Sequence, residues 1–193
     1  IPSRTPSKST VPSVQPSKTP SKSTIPSVQP SKAPSEGPVS ATLSVPTNSG
    51  SFGAFGLMFD VVPLRDLQIT SIKVATLSST SSFTVYWKEG SLVGFESNEG
   101  AWTPLVTNVE ITAVDGLLPV PFPTPISLTA NQRYALVVLG SKLNDAVSTG
   151  GTRNAVAGSD SNLQVIVGRE MVRFGVVACC FRFSGEIDYT YTP

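Results

Sequence analysis

The chain has 193 residues and a nearly even charge balance, 14 Lys and Arg against 13 Asp and Glu, so no global field favours nucleic acid or an anionic membrane. It contains no histidine, which excludes Ser-His and Cys-His nucleophile activation and most catalytic zinc sites. No apolar run approaches the length of a transmembrane helix. The sequence therefore predicts a protein that is not an enzyme, uses no cofactor or metal and has no membrane span, with carboxylate-only glycoside hydrolysis as the catalytic alternative.

Residues 1–38 form a Pro/Ser-rich segment, called the arm below, that contains a repeat. The unit TPSKSTVPSVQPSK at residues 5–18 recurs at residues 19–32 as TPSKSTIPSVQPSK, and nine of the 17 prolines lie in the arm. Proline fixes φ and holds the preceding residue extended, and the arm has too little apolar mass to fold alone. An extended polyproline II conformation is predicted, about 120 Å long at roughly 3.1 Å per residue. A disordered linker is the alternative.

The arm offers dense positions for O-linked sugars, because attachment needs exposed, extended backbone rich in Ser, Thr and Pro. The sequence has no N-x-Ser/Thr sequon, so we expect any glycan to be O-linked. The candidates for O-glycosylation or hydroxyproline are Pro6, Ser7, Ser9, Thr10, Pro12, Ser13, Pro16, Ser17, Pro20, Ser21, Ser23, Thr24, Pro26, Ser27, Pro30, Ser31, Pro34 and Ser35.

Two apolar pairs in the arm have the period of polyproline II. Val11 and Val14 are three residues apart, as are Ile25 and Val28, and three residues make one turn. Each pair is predicted to form an apolar ridge that docks on a neighbouring copy of the chain, or else its spacing was inherited by duplication.

The arm is basic and the rest of the chain is mildly acidic. Arg4 and four lysines against Glu36 give the arm a net charge of five minus one, or +4, which leaves −3 for the remainder. This asymmetry favours head-to-tail association that weakens with salt. An acidic extracellular polysaccharide is the alternative partner.

Residues 39–193 are predicted to form one all-β domain, a two-sheet β-sandwich of jelly-roll type, with a barrel as the less favoured arrangement. Short runs rich in Val, Ile, Thr, Phe and Tyr alternate with Gly, Pro, Ser and Asn clusters, and no stretch shows a helical apolar period. The candidate strands are Ala41–Val45, Gly56–Val62, Leu67–Thr76, Phe83–Lys88, Asn108–Val114, Ile126–Leu128, Arg133–Leu139, Leu163–Val167, Met171–Val177 and Cys180–Tyr191.

Alternation along two strands predicts which side chains face the core. In residues 67–74 the apolar parity switches at Thr70-Ser71, which indicates a β-bulge. Trp87 shares parity with Phe83 and Val85 and is predicted to be in the core. Trp102 follows a polar segment and is predicted to be a surface aromatic that stacks on glycan rings.

Cys179 and Cys180 are adjacent, so an ordinary disulfide across the fold is excluded. Two separately buried thiols, a vicinal disulfide that shapes a turn, and pairing between chains remain open.

Residues 141–162 are predicted to form a long polar loop. Asp145, Asp160 and Asn162 offer oxygen ligands to calcium, but their spacing matches no EF-hand. An interface loop is favoured.

The PSKxP and PSVQP units of residues 2–35 resemble the serine/proline repeats of secreted wall, adhesive and fibril proteins of diatoms and other algae. The runs GLMFDV at 56–61, VYWKEG at 85–90 and LTANQRYALVVLG at 128–140 resemble small extracellular sandwich modules. The combination is similar to protomers of glycan-coated extracellular fibrils. The resemblance implies a secreted or cell-surface structural protein that polymerises with copies of itself. A carbohydrate-binding or adhesive module on a mucin-like stalk is the alternative.

Overall fold

The computed structural model describes residues 37–46, 53–75, 80–144 and 152–193. Within these ranges the side chains of residues 53, 54, 141–144 and 176 are outside the description. Residues 1–36 are outside it too, so the conformation and modification of the arm stay predictions.

Eleven strands and one 3-10 turn, Glu99–Ala101, make up the regular structure of the described ranges. The strands are β1 Val39–Val45, β2 Gly53–Pro63, β3 Leu67–Ala75, β4 Thr80–Glu89, β5 Thr103–Thr112, β6 Leu117–Leu128, β7 Tyr134–Asn144, β8 Val156–Ser159, β9 Leu163–Arg173, β10 Val176–Phe181 and β11 Gly185–Tyr191.

The strands form two antiparallel sheets. The four-stranded sheet has the order β1-β11-β3-β6; the seven-stranded sheet has the order β10-β9-β2-β7-β4-β5, with β8 paired to β9. Without β8, β9 and β10, the orders are β1-β11-β3-β6 and β2-β7-β4-β5, the double Greek key of a jelly roll. The predicted jelly-roll-like sandwich is confirmed. Strands β8 to β10 are an insertion that widens one sheet beyond β2.

The core lies between the sheets because alternate strand residues point to opposite faces. In β2, Leu57, Phe59 and Val61 join the central core, whereas Met58 faces the other side. Phe59 stacks on Phe183 from the segment before β11, with ring centroids 4.7 Å apart. Among the residues that the structure describes, the buried core side chains lie between 43 and 189, so this part of the chain buries a hydrophobic core of its own.

Two local predictions agree with the structure. The β3 pairings with β6 and β11 both shift register around Thr70, which places a β-bulge there. In β4, Phe83 and Val85 are fully buried, and Trp87 packs half-buried against the same core.

Several predicted strand bounds were wrong. The segment Ile126–Leu128 is only the end of the twelve-residue β6. The predicted strand Met171–Val177 contains a turn at Phe174-Gly175, where Gly175 has φ 89, a conformation that favours glycine. The segment Cys180–Tyr191 is divided between β10 and β11, and β8 lies inside the predicted 141–162 loop.

Within the described ranges, no helix is both long and apolar enough to cross a bilayer.

Candidate functional site

Most of the predicted site residues belong to the arm. The ridge residues Val11, Val14, Ile25 and Val28 lie outside the described residues, as do the glycosylation candidates from Pro6 to Ser35 and the loop residue Asp145. The candidate sites described below therefore lie on the surface of residues 37–193.

The outer face of the seven-stranded sheet carries a second apolar cluster. Residues 90–102, which connect β4 to β5, fold back over this face and insert Leu92 and Trp102 against Met58, Val137 and Met171. Trp102 is 5% exposed, and its indole N–H donates to the carbonyl of Phe95 at 3.1 Å. The prediction that Trp102 is a surface residue was wrong, because this connection covers the sheet instead of projecting into solvent.

Asp60 fixes one end of the connection. Its side chain is 3% exposed, and it accepts hydrogen bonds from the Leu92 backbone N–H at 2.9 Å and from the Ser91 hydroxyl at 2.7 Å. Arg133 forms an ion pair with it at 3.2 Å. These contacts satisfy a carboxylate that burial would otherwise make unfavourable.

The other end of the connection is bound to the β9–β10 hairpin. Glu96 forms an ion pair with Arg169, and its backbone carbonyl accepts from the Gly175 N–H at 2.9 Å. Tyr86 donates to Glu99 at 2.9 Å, and burial, together with this carboxylate, raises the pKa of Tyr86. The connection is thus a fixed cover over part of the outer face.

Another part of this face is exposed to solvent. A shallow depression of about 460 Å³ is lined by Phe55, Leu139, Val172 and Phe174, with Glu99 and Arg173 at its rim. Phe55 is 58% exposed and Val172 is 55% exposed. An apolar floor with an aromatic ring and a charged rim is suited to binding a molecule that is partly apolar and partly polar.

A second apolar depression lies where the sheets meet at β5 and β6. We call it the β5–β6 groove and define it by Leu105, Val109, Ile111, Pro121, Phe122 and Pro123; its volume is about 370 Å³. Within the described ranges β5 pairs only with β4, and β6 only with β3. Both strands are therefore sheet edges.

The outer face of the four-stranded sheet is polar. Asp188 accepts from Ser71 and Thr42, each at 2.6 Å, and Lys73 bridges Asp188 and Glu186 at 3.4 and 2.7 Å. Burial raises the pKa of Asp188, but the two hydroxyl donors and Lys73 outweigh it and hold the pKa below its ordinary value. This network ties β1, β11 and β3 together.

Two of the predicted calcium ligands bind protein atoms instead. Asp160 accepts the backbone N–H groups of Asn162 and Leu163 at 2.7 and 2.8 Å and the Tyr189 hydroxyl at 2.6 Å. The Asn162 amide donates to the same hydroxyl at 3.0 Å. In the ranges the structure describes, no three His, Cys, Asp or Glu side chains converge on a point that could hold a metal.

Cys179 and Cys180 are joined by a disulfide on β10. Cys179 pairs across the ladder with Arg169 and is exposed. Cys179 is thus directly opposite the residue that forms the ion pair with Glu96.

Sequence reasoning missed Asp60 and the β5–β6 groove. The signal for Asp60 was that it is a single carboxylate inside the apolar run GLMFDVV. Prolines at every second position from 119 to 125 were the signal for an edge strand.

No family model and no curated protein matches the chain. Among solved structures it is similar to VP2 of infectious bursal disease virus in a subviral particle, with 13% identity, a TM-score of 0.30, and coverage of 82% of this chain and 34% of that one. A mutant VP2 in derived T=1 particles matches with 14% identity and a TM-score of 0.27. The structure of infectious bursal disease virus, Gx strain, matches with 14% identity and a TM-score of 0.24. The chain spans 34 to 41% of the length of these proteins.

Proposed function

We propose that the protein is a non-catalytic structural protomer of an extracellular, glycosylated fibril or wall layer, in which the arm of one copy docks on a neighbour. The observation that carries the proposal is that the described residues of 37–193 bury a sandwich core built from their own side chains. On this basis we expect the domain to fold without the arm, which would leave the repeated apolar ridges of the arm for contact with another molecule.

The chemistry of the arm supports the same function. It is basic, whereas the remainder of the chain carries −3, so like arms repel each other and arm-to-domain contact is favoured at low salt. A contact between two different surfaces of the same chain is heterologous and extends into an open filament unless its rotation closes a ring. O-linked glycans on Ser and Thr beside the ridges would coat the filament without covering the apolar pairs.

Electron microscopy and sedimentation of the full chain test this function. We expect filaments or large oligomers from the wild type and dispersed particles from the double variant Val14→Asp with Val28→Asp. The matched control is Gln15→Asp with Gln29→Asp, which adds the same charges one residue away from the ridges. Assembly by the ridge variant, or a wild type that stays monomeric at high concentration, would contradict the proposal.

A second candidate function is supported by the open depression around Phe55. Sugar rings stack on exposed aromatic faces, and Glu99 and Arg173 at the rim would bind their hydroxyls. A carbohydrate-binding module on a stalk should lose affinity for soluble glycans in Phe55→Ala and keep it in Phe95→Ala, which removes another exposed ring. A monomer that binds glycans in this way would favour the second function over the first.

A further inference from the structure

The β5–β6 groove is an opening in the hydrophobic core. Val109 pairs across the ladder with Phe83, and directly opposite side chains in a sheet lie on the same face. Phe83 is 0% exposed, so this is the core face, yet Val109 is 42% exposed. An apolar residue on the core side that still meets solvent shows that the sandwich is not closed at this corner.

A β-bulge contributes to the opening. Between the pairs Phe83–Val109 and Val85–Val106, β5 has two residues where β4 has one, and Asn108 takes φ 49. The bulge is held by the Ser82 hydroxyl, which donates to the Asn108 side chain at 2.6 Å. Bulges at sheet edges redirect side chains and end regular pairing.

Between residues 119 and 125 the edge of β6 is a poor partner for another strand. Its residues 119, 121, 123 and 125 are all proline, and proline in a sheet is confined to positions whose backbone faces away from the ladder. The open edge therefore presents carbonyl acceptors with no N–H donor beside them. On the β6 side of the groove, a partner opposite residues 119–125 is therefore held by side chains and not by a regular β-ladder.

The charge of the groove strands is complementary to the arm. Residues 103–128 contain two acidic residues, Glu110 and Asp115, and no basic residue, while the arm carries +4. A proline-rich segment also needs no ladder partner, because polyproline II has no internal hydrogen bonds and keeps its backbone solvated. The Lys, Ser and Thr side chains of the arm would supply the hydrogen-bond donors that the proline positions of β6 lack.

The repeat length of the arm favours contact with other copies. Corresponding ridge residues are 14 positions apart, about 43 Å in polyproline II at roughly 3.1 Å per residue. A domain of this size is about 40 Å across, from a radius of gyration near 15 Å. The two ridges are thus separated by about one domain width, so each would meet the groove of a different domain.

We infer that the β5–β6 groove is the receptor for a Val/Ile ridge from the arm of a second copy of this chain. The inference rests on the proposed function and names the surface that this function requires. Val11 and Val14, or Ile25 and Val28, would cover the exposed core side of Val109 and pack against Phe122 and the adjacent prolines.

The test uses the full chain with Val109→Lys, and Val156→Lys as the matched control. Both valines are exposed to a similar extent, 42% and 46%, and Val156 is on β8, away from the groove. In sedimentation we expect Val109→Lys to reduce assembly at least tenfold and Val156→Lys to leave it unchanged. Circular dichroism and thermal unfolding check that both variants are folded.

A photo-reactive phenylalanine at position 14 gives an independent readout in a mixture of isotopically light and heavy chains. We expect cross-links to residues 105–123 that join light to heavy chains. Normal assembly of Val109→Lys, cross-links elsewhere, or cross-links only within one chain would overturn the groove inference while leaving the proposed function standing. A wild type that does not assemble would instead overturn the proposed function.

Discussion

The hydroxyl of Tyr189 donates a 2.6 Å hydrogen bond to the carboxylate of Asp160, joining β11 to the turn before β9. Burial, with this carboxylate, raises the pKa of Tyr189 to about 12. The unfolded chain loses the same proton near pH 10. The raised pKa of Tyr189 therefore contributes fully to the free energy of unfolding below pH 10, and this contribution is lost as the pH rises through about 12.

We expect the free energy of unfolding to fall between pH 10 and 12, by up to about 2 to 3 kcal/mol at full deprotonation. Tyr189→Phe should be less stable at pH 7 by about 1 to 3 kcal/mol, because Asp160 and Asn162 lose a buried partner, and should show a weaker alkaline decline. Urea unfolding at several pH values measures both effects. Tyr191→Phe, which removes a tyrosine hydroxyl but keeps the Tyr189–Asp160 hydrogen bond, is the control. A Tyr189→Phe variant with the wild-type alkaline slope would contradict the assignment.

The network around Asp188 should make the domain sensitive to acid. A carboxyl whose pKa is depressed by folding stabilises the native state above its unfolded pKa, and this stabilisation is lost as the pH falls through the folded pKa. Asp188→Asn should therefore be less stable than the wild type by about 1 kcal/mol at pH 7, and the difference should shrink in acid as the pH falls through the lowered pKa of Asp188. Asp115→Asn, in an exposed turn, should match the wild type at every pH; a deficit for Asp188→Asn that stays constant in acid would show that charge is not involved.

Substitution of Asp60 should detach the connection formed by residues 90–102 from the outer face of the seven-stranded sheet. Asp60→Ala leaves the Leu92 N–H and the Arg133 guanidinium without their acceptor, which we expect to lower stability by about 2 to 4 kcal/mol. Trp102 should become accessible, seen as a red-shifted fluorescence and stronger quenching by acrylamide. Glu89→Ala removes an exposed carboxylate at the end of β4 and should change neither signal. A buried Trp102 in Asp60→Ala would mean that the Glu96–Arg169 end holds the cover alone.

The Cys179–Cys180 disulfide should contribute little to global stability. A cross-link stabilises mainly by restricting the unfolded chain, and its effect grows with the length of the closed loop. Here the two residues are adjacent, so reduction should shift the free energy of unfolding by less than about 1 kcal/mol. Thermal unfolding with and without reductant measures this, with Cys179→Ser plus Cys180→Ser as the control that reductant should not affect. A loss of several kcal/mol would show that the disulfide supports packing beyond its own strand.

Sequence patterns correctly predicted the features that depend only on residues close together in the chain. The parity switch at Thr70-Ser71 placed the bulge in β3, and the alternation of Phe83, Val85 and Trp87 placed the core face of β4. Trp102 is buried because residues 90–102 fold back over a sheet that is built from distant segments. The polar neighbours Asn98-Glu99-Gly100 carry no sign of this contact, and they led to the wrong prediction of a surface side chain. Most of β6 was missed because proline argues against a strand, and only the sheet order shows that β6 is an edge where proline is tolerated.

The prolines of β6 can be tested by restoring backbone donors. Pro119→Thr with Pro121→Thr gives the open edge two N–H groups and residues that favour strands. We expect this double variant to associate through strand pairing and to sediment as dimers or larger species in high salt, where the basic arm is screened. Pro46→Thr with Pro193→Thr, two exposed prolines outside the strands, should behave as the wild type. A monodisperse Pro119/Pro121 variant in high salt would show that another feature protects the edge.

The alternating prolines of β6 also bear on whether densely packed copies of this protein would convert into amyloid over time. Cross-β fibrils grow because each chain offers a complete row of donors and acceptors to the next, and β6 offers half of that row. Growth through side-chain contacts can reverse when salt or concentration changes, whereas templated cross-β growth does not. Material made from this chain should therefore dissolve and re-form without converting into amyloid along this edge.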